Sequence, residues 1–335
     1  MVKLVPHSFV HKDLYAGTSD DGLVNVGATA AATSPRAAEV HHPPANYSPP
    51  FPLLVSVPRQ AGQYSVLILQ HGFMLQNSFY SQLMQHVSSH GYIVVAPQAS
   101  RSMYIIAGGD ATSEIEHAAM VINWVSKKGQ LEASLPLELA KNVRADVGKV
   151  VVSGHSRGGK VAFGVGLGKM GEEQSVRAEI AGVVGLDPVD GVSENEQSKP
   201  HIVSAEGEGA FGQAFPVLII GTGLGSEKLN PFTPACAPLN FGHEAFFRCS
   251  AALAVHVVAG DYGHMDFLND SSLGLEGALS HCLCKRGPTR QPLRILSAGL
   301  LVAFLKYCIF HNFSTLNKAL NHPPFPLTKS QVRKK

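Results

Sequence analysis

The sequence predicts an α/β fold, with a mostly parallel central sheet and helices on both faces. Short apolar, β-branched runs bounded by turn residues alternate with longer segments of helical period. Strand and helix in that rhythm imply right-handed crossovers between parallel neighbours. Polar residues able to do chemistry recur directly after the strands, where open parallel sheets bind their ligands.

The elements follow in order. Val66–Gln70 reads as a buried strand. A helix is predicted from Ser78 to about His90, capped by Asn77, with Phe79, Leu83 and Val87 at spacing four and Gly91 closing it. Tyr92–Ala96 is the next strand, stopped by Pro97. Thr112 is expected to cap a second helix, with Ile115, Ala118, Ala119, Ile122 and Val125 on one face and Gly129 at its end. Further strands are predicted at Val150–Ser153, Ile180–Leu186, Val217–Ile220 and Ala254–Ala259, and a last helix from about Pro292 to Phe310.

At 335 residues and 45% hydrophobic, the chain can bury a large core, and no internal repeat is evident. A net charge of +2 is too small to argue for a nucleic-acid or acidic partner, and no nucleic acid is expected. Residues 1–48 read as a flexible leader, a targeting segment being one reading of it; 49–312 as the catalytic domain; 313–335 as a C-terminal tail. No signal peptide is visible, because Asp13, Asp20 and Asp21 interrupt the first residues. The apolar run Leu300–Leu305 falls short of the ~20 residues of a membrane span. Of five cysteines, Cys282 and Cys284 stand too close for easy mutual bridging; either could find Cys236 or Cys249, so the pairing stays open.

Gly154-His155-Ser156-Arg157-Gly158 fits the G-x-S-x-G pattern of a serine held on a sharp strand-to-helix turn. Val150, Val151 and Val152 enter the turn, and Val161, Ala162 and Val165 leave it in helical spacing. A serine hydroxyl needs a base to take its proton, and here the chain order is Ser, then Asp or Glu, then His. Asp187 closes one strand and His264 follows another, so Ser156, Asp187 and His264 are the candidate catalytic residues. These positions mark an α/β-hydrolase fold and a serine ester hydrolase.

Asp190 competes with Asp187 if its strand ends later; Asp187 is preferred as the first loop residue. Asp261 and Asp266 read as loop polar groups, His243 has no strand leading into it, and His86, His117 and His256 read as packing or surface residues. After the first strand, the His71-Gly72-Phe73 turn matches the loop that donates one oxyanion-hole amide, making the Phe73 and Arg157 N–H groups the candidate pair. Met74, Leu75, Phe79 and Tyr80 are candidates for lining a lipophilic pocket, with core packing as the bland alternative. Gly221–Gly225 lacks the marks of a phosphate loop and reads as a tight turn near the active-site mouth. No metal-binding signature and no cofactor motif are present.

Several segments together resemble the chlorophyllases of plants: Gly154–Lys160 (GHSRGGK), Gly185–Gly191 (GLDPVDG), Gly221–Gly225 (GTGLG), Cys236–Pro238, His243–Cys249 (HEAFFRC) and Asp261–Asp266 (DYGHMD). Asn77–Met84 and Ser88–Pro97 lean toward the second of the two plant types. The resemblance covers roughly residues 50–310. It implies hydrolysis of the phytyl ester of chlorophyll, or of a related phytylated tetrapyrrole, to chlorophyllide and phytol. It implies a triad on Ser156, Asp187 and His264, and a chloroplast location, with cytosol or an endomembrane surface as alternatives. Peripheral membrane contact is a further expectation; a transmembrane segment is not. A general carboxylesterase or lipase is the nearest rival, and a non-catalytic ligand receptor of the same fold the rival of another class.

Overall fold

The computed structural model describes residues 14–17, 22–26, 40–99, 110–171, 175–193, 197–204, 207–251, 253–270 and 283–333. Ten strands form one sheet: β1 Gly22–Val26, β2 Val40–His41, β3 Leu53–Val57, β4 Gly62–Gln70, β5 Ile93–Pro97, β6 Val143–His155, β7 Glu179–Leu186, β8 Val217–Thr222, β9 Ala254–Ala259 and β10 Lys329–Arg333. Their order across the sheet is β10-β9-β8-β7-β6-β4-β5-β3-β1-β2. The six strands from β9 to β5 in that order are parallel, while β10 and β3 join them antiparallel. The expected strand Ala254–Ala259 coincides with β9, and each of the others lies within or one residue from an observed strand.

Side chains alternate between the two faces of a strand. Leu67, Leu69, Val151, Val184, Leu186, Leu218, Ile220 and Val257 therefore face one layer, made of α1 (Ser81–Ser88), α7 (Gln291–Phe310) and α8 (Phe313–Asn321). Val66, Ile68, Val150, Val152, Val183, Val217 and Ile219 face the other, which includes α2 (Thr112–Val125), α3 (Gln130–Ala133), α5 (Arg157–Gly166) and α6 (His243–Cys249). A short helix α4 spans Leu137–Ala140. Both faces are covered, as a parallel sheet requires.

Two helix starts differ from expectation. The segment expected to begin a helix at Ser78 opens with a 3₁₀ turn, Asn77–Tyr80. Asn77 does not cap it; its side-chain amide donates to the Ala96 carbonyl at 2.9 Å, tying the turn to β5. At α2 the Thr112 N–H donates to Asp110 Oδ1 at 2.7 Å, so Asp110, not Thr112, supplies the acceptor. Gly129, with φ 77°, turns the chain into α3 rather than ending α2, which stops at Val125.

The expected leader and tail contribute structure. β1 pairs with β3, and β10 pairs with β9 along five residues. α8 buries Leu316, Ala319 and Leu320 against the core. α7 is long and apolar enough to cross a membrane. Here it is a core helix, with Leu293, Leu296, Leu300, Leu301 and Leu305 buried against the sheet. Arg294 at its start pairs with Asp270 at 2.5 Å.

One topological feature positions the site. From β4 the chain moves outward to β5, then returns to the other side of β4 to lay down β6. The loops leaving β4 and β6 therefore part in opposite directions, and a crevice opens between them at the strands' carboxyl ends.

Candidate active site

Ser156 sits at that crevice, between β6 and α5, with φ 56° and ψ −125°. A non-glycine residue at positive φ is strained, and it persists only where its surroundings hold it. The holding contacts are visible: the Ser156 N–H donates to the Leu186 carbonyl at 3.0 Å, while the Gly159 N–H donates to the Ser156 carbonyl at 2.9 Å. The turn is so tight that a Cβ at Gly154 would lie 2.0 Å from the Gly158 carbonyl oxygen. Glycine is the residue that fits.

His264 follows β9 in a 3₁₀ turn, His264–Phe267, and Asp187 follows β7 directly. The three sequence candidates meet: His264 Nε2 lies 2.8 Å from Ser156 Oγ, and His264 Nδ1 lies 2.7 Å from Asp187 Oδ2. A carboxylate only accepts, so Nδ1 carries the proton and Nε2 is left to accept from the serine hydroxyl. Asp187 is fully buried. Burial alone would raise its pKa, but the hydrogen bond and charge of His264, with help from His243 and Thr222, hold it below the usual carboxylate range. The arrangement can deliver a deprotonated serine oxygen to an electrophilic carbonyl.

Asp190 does something else. Its Oδ1 lies 2.7 Å from Lys160 Nζ, both side chains being buried, and its Oδ2 accepts from the Ile202 and Val203 amides at 2.9 and 2.8 Å. It ties the loop after β7 to α5 and does not face His264.

The residues around the candidates form directional networks. Burial brings His155 down to about 3, so its ring is neutral. Its Nε2 lies 2.8 Å from the His264 carbonyl and must donate; its Nδ1, 2.8 Å from Tyr80 Oη, then accepts. Tyr80 Oη in turn accepts from the Gly72 N–H at 3.1 Å. The loop after β4, the serine turn and the His264 backbone are thus joined by one chain of donors. Asp266 Oδ2 accepts from the Gly263 and Gly287 amides, both at 2.7 Å, and so fixes the turn that carries His264.

The His71-Gly72-Phe73 turn lies beside the serine: a Cβ at position 72 would stand 3.2 Å from Ser156 Cβ. His71 is brought down to about 4 by burial and braces the turn, its Nδ1 donating to the Gly72 carbonyl and its Nε2 accepting from the Ala99 amide. Arg157 opens α5, where the helix dipole favours a developing negative charge. Its guanidinium lies 5.7 Å from the Phe73 ring centroid, so the side chains of the two residues meet beside the serine turn. Glu114 orients that guanidinium from α2, 2.5 Å from Nε.

The expected pocket lining divides. Met74, at φ 56°, is 38% exposed at the mouth. Leu75, Phe79 and Tyr80 are buried and belong to the core, because the 3₁₀ turn aims Phe79 and Tyr80 at the sheet. The GTGLG segment proves to be part of the site: Thr222 Oγ donates to Asp187 Oδ2 at 2.7 Å, and its N–H to Oδ1 at 3.1 Å. The signal for Thr222 was its place at a strand's carboxyl end. Cys236 is disulfide-bonded to Cys284, joining the segments that follow β8 and β9, while Cys249 and Cys308 are free and buried. Among the described residues, the atoms of His243, Glu244 and His256 lie within 4.8 Å of one another, close enough to hold a cation. The Lys329 ammonium already lies 2.9 Å from both Glu244 oxygens.

Comparison with known proteins places the chain in a family. The chlorophyllase family model matches residues 27–334. The chain is 44% identical to Chlorophyllase-2 of Arabidopsis thaliana over 78% of its own length and 79% of that protein. It is 39% identical to Chlorophyllase-1 of the same plant, covering 82% of each chain. It is also 39% identical to "Chlorophyllase-1, chloroplastic" of Citrus sinensis, over 84% of this chain and 80% of that one. With a family match across nine-tenths of its residues and a serine, a histidine and a carboxylate in hydrogen-bonded sequence, the chain belongs to the chlorophyllase family.

Proposed function

We propose that this carboxylic ester hydrolase cleaves the phytyl ester of chlorophyll, with Ser156 as nucleophile, His264 as general base and acid, and Asp187 as the group that orients His264. The observation that carries the reading is the run Ser156 Oγ, His264 Nε2, His264 Nδ1 and Asp187 Oδ2, with links of 2.8 and 2.7 Å. His264 takes the hydroxyl proton as Ser156 Oγ bonds to the ester carbonyl carbon. The oxygen's developing negative charge is met by the Phe73 and Arg157 N–H groups. Collapse breaks the bond to the phytyl oxygen, which leaves as phytol with the proton from His264. Water, deprotonated by His264, then attacks the acyl-serine and releases chlorophyllide. The ionised Asp187 stabilises the imidazolium at each transfer.

The mouth suits a lipophilic ester. Exposed apolar side chains stand on the loops that leave the strands' carboxyl ends: Phe73 and Met74 after β4, Val192 after β7, and Leu229, Phe232 and Leu239 after β8. Burying a terpenoid tail contributes ~0.8 kcal/mol per methylene, which can hold the carbonyl at Ser156. A chloroplast location accords with the names of the Citrus relatives. Purified protein incubated with chlorophyll is expected to yield chlorophyllide and phytol by chromatography, faster than it cleaves an aryl ester. A preference for the aryl ester would favour a general carboxylesterase.

Thr222→Val removes a donor to a buried carboxylate, an interaction of about 1.5–3 kcal/mol. Turnover is expected to fall on the order of tenfold with KM little changed, because Thr222 acts through Asp187 and not on the substrate. Steady-state kinetics on chlorophyll would check it.

A further inference from the structure

Two buried histidines outside the mechanism stand behind Asp187. His243 opens α6, and His256 lies in the middle of β9 with no exposed surface. His243 Nδ1 is 2.9 Å from His256 Nε2. The other nitrogen of His243, Nε2, lies 4.0 Å from Asp187 Oδ1, the oxygen turned away from His264. The fold makes room for this ring at a specific place: a Cβ on Gly221 of β8 would fall 2.4 Å from His243 Cγ and Nδ1. Any other residue at 221 would displace the imidazole from Asp187.

The proton arrangement follows from the partners. Burial brings His256 down to about 3, so it is a neutral ring with one donor and one acceptor nitrogen. The Asp187 carboxylate favours an N–H on His243 Nε2. With its proton on Nε2, a neutral His243 accepts at Nδ1 from His256 Nε2–H. The Glu244–Lys329 pair on the far side is already mutually neutralised. At 4.0 Å the His243 N–H does not make a hydrogen bond to Oδ1. It is a fixed dipole in a buried site, where such dipoles act strongly on a charge.

We infer that His243, oriented by His256, is a positioning residue for ester hydrolysis: its Nε2–H faces the second oxygen of Asp187 and preserves that carboxylate's charge and its alignment on His264. The inference rests on the triad reading given above. Asp187 then has its two oxygens served from opposite sides, Oδ2 by His264 and Thr222, and Oδ1 by the Thr222 amide and the His243 dipole. A carboxylate so held cannot rotate without losing partners on both sides.

The test compares His243→Gln, which keeps an N–H donor, with His243→Phe, which fills the space without one. Each is assayed as the full chain on chlorophyll, with the thermal midpoint measured alongside. The Phe variant is expected to lose about tenfold in kcat with KM within about twofold, the equivalent of one pKa unit on the Asp187–His264 pair. The Gln variant is expected to stay within about threefold of wild type. Equal kcat in the two variants, whether both high or both low, overturns the inference. Where Phe fails to fold, Leu takes its place with the same expectation; failure of both beside an active Gln variant shows a packing role and overturns it too. Asp187→Asn serves as the reference arm. Full activity there would sink the triad reading itself, whereas its collapse beside indistinguishable Gln and Phe variants would sink only the role of His243.

Discussion

Alanine at position 156 is expected to lower chlorophyll turnover by about 10⁶ and to abolish covalent labelling by a fluorophosphonate. The size follows from what the hydroxyl does. Without it no acyl-enzyme forms, and His264 has only water to activate, in a site shaped for a side-chain oxygen 2.8 Å away. What survives is oxyanion stabilisation and binding, worth about 10³–10⁴ over water. The fold itself should be unaffected, because the turn is held by main-chain bonds from Ser156 to Leu186 and Gly159, which alanine keeps. Chlorophyll binding, followed by quenching of the single Trp124 or by co-sedimentation, is expected to persist. Undiminished hydrolysis by the alanine variant, or labelling that moves to another residue, would remove Ser156 from the mechanism.

The sequence carried the central strands plainly, because strands buried on both faces must be apolar throughout: Val150–Val152 and Val217–Ile220 are short, largely β-branched and apolar without a break. The edges were less legible. Lys329–Arg333 has one apolar residue, Val332, and earns its place in the sheet by main-chain pairing with β9, which leaves no hydrophobic pattern. The first half of β6 is similar, carrying Arg144, Asp146 and Lys149 on a half-exposed stretch.

The site divides in the same way. Ser156, Asp187 and His264 each follow a strand, and in a parallel sheet strand ends converge, so position along the chain predicted position in space. Thr222 obeys the same rule, but its glycine neighbours suggested only a turn. His243 breaks the rule, since it reaches Asp187 from the start of a helix packed on the sheet. Leu75, Phe79 and Tyr80 show a different limit: an apolar residue beside a catalytic loop has the same sequence signature whether it lines a pocket or fills the core.

The two aspartates that the sequence left in competition give the second large effect. Asp187→Asn is expected to reduce turnover by about 10⁴, because an amide nitrogen toward His264 favours the tautomer that cannot accept the serine proton. Stability should change little by comparison, the Thr222 bonds being partly retained. Asp190→Asn should do the reverse. It strips a buried ammonium, Lys160, of the carboxylate oxygen 2.7 Å away, and breaking one side of such a pair costs about 3–5 kcal/mol. Urea denaturation should show that loss, while turnover per folded molecule stays near wild type. The pH dependence gives a further check. Burial already holds Lys160 below the usual lysine range, with Asp190 as the chief opposing influence. Removing that influence widens the gap from the unfolded value of 10.5. The unfolded chain then binds more protons across the gap, so the Asp190→Asn variant should gain stability as pH rises toward that value. A variant at 190 that loses turnover by 10⁴-fold scale while one at 187 keeps it would exchange the two assignments, since only the acid bonded to His264 can set its tautomer.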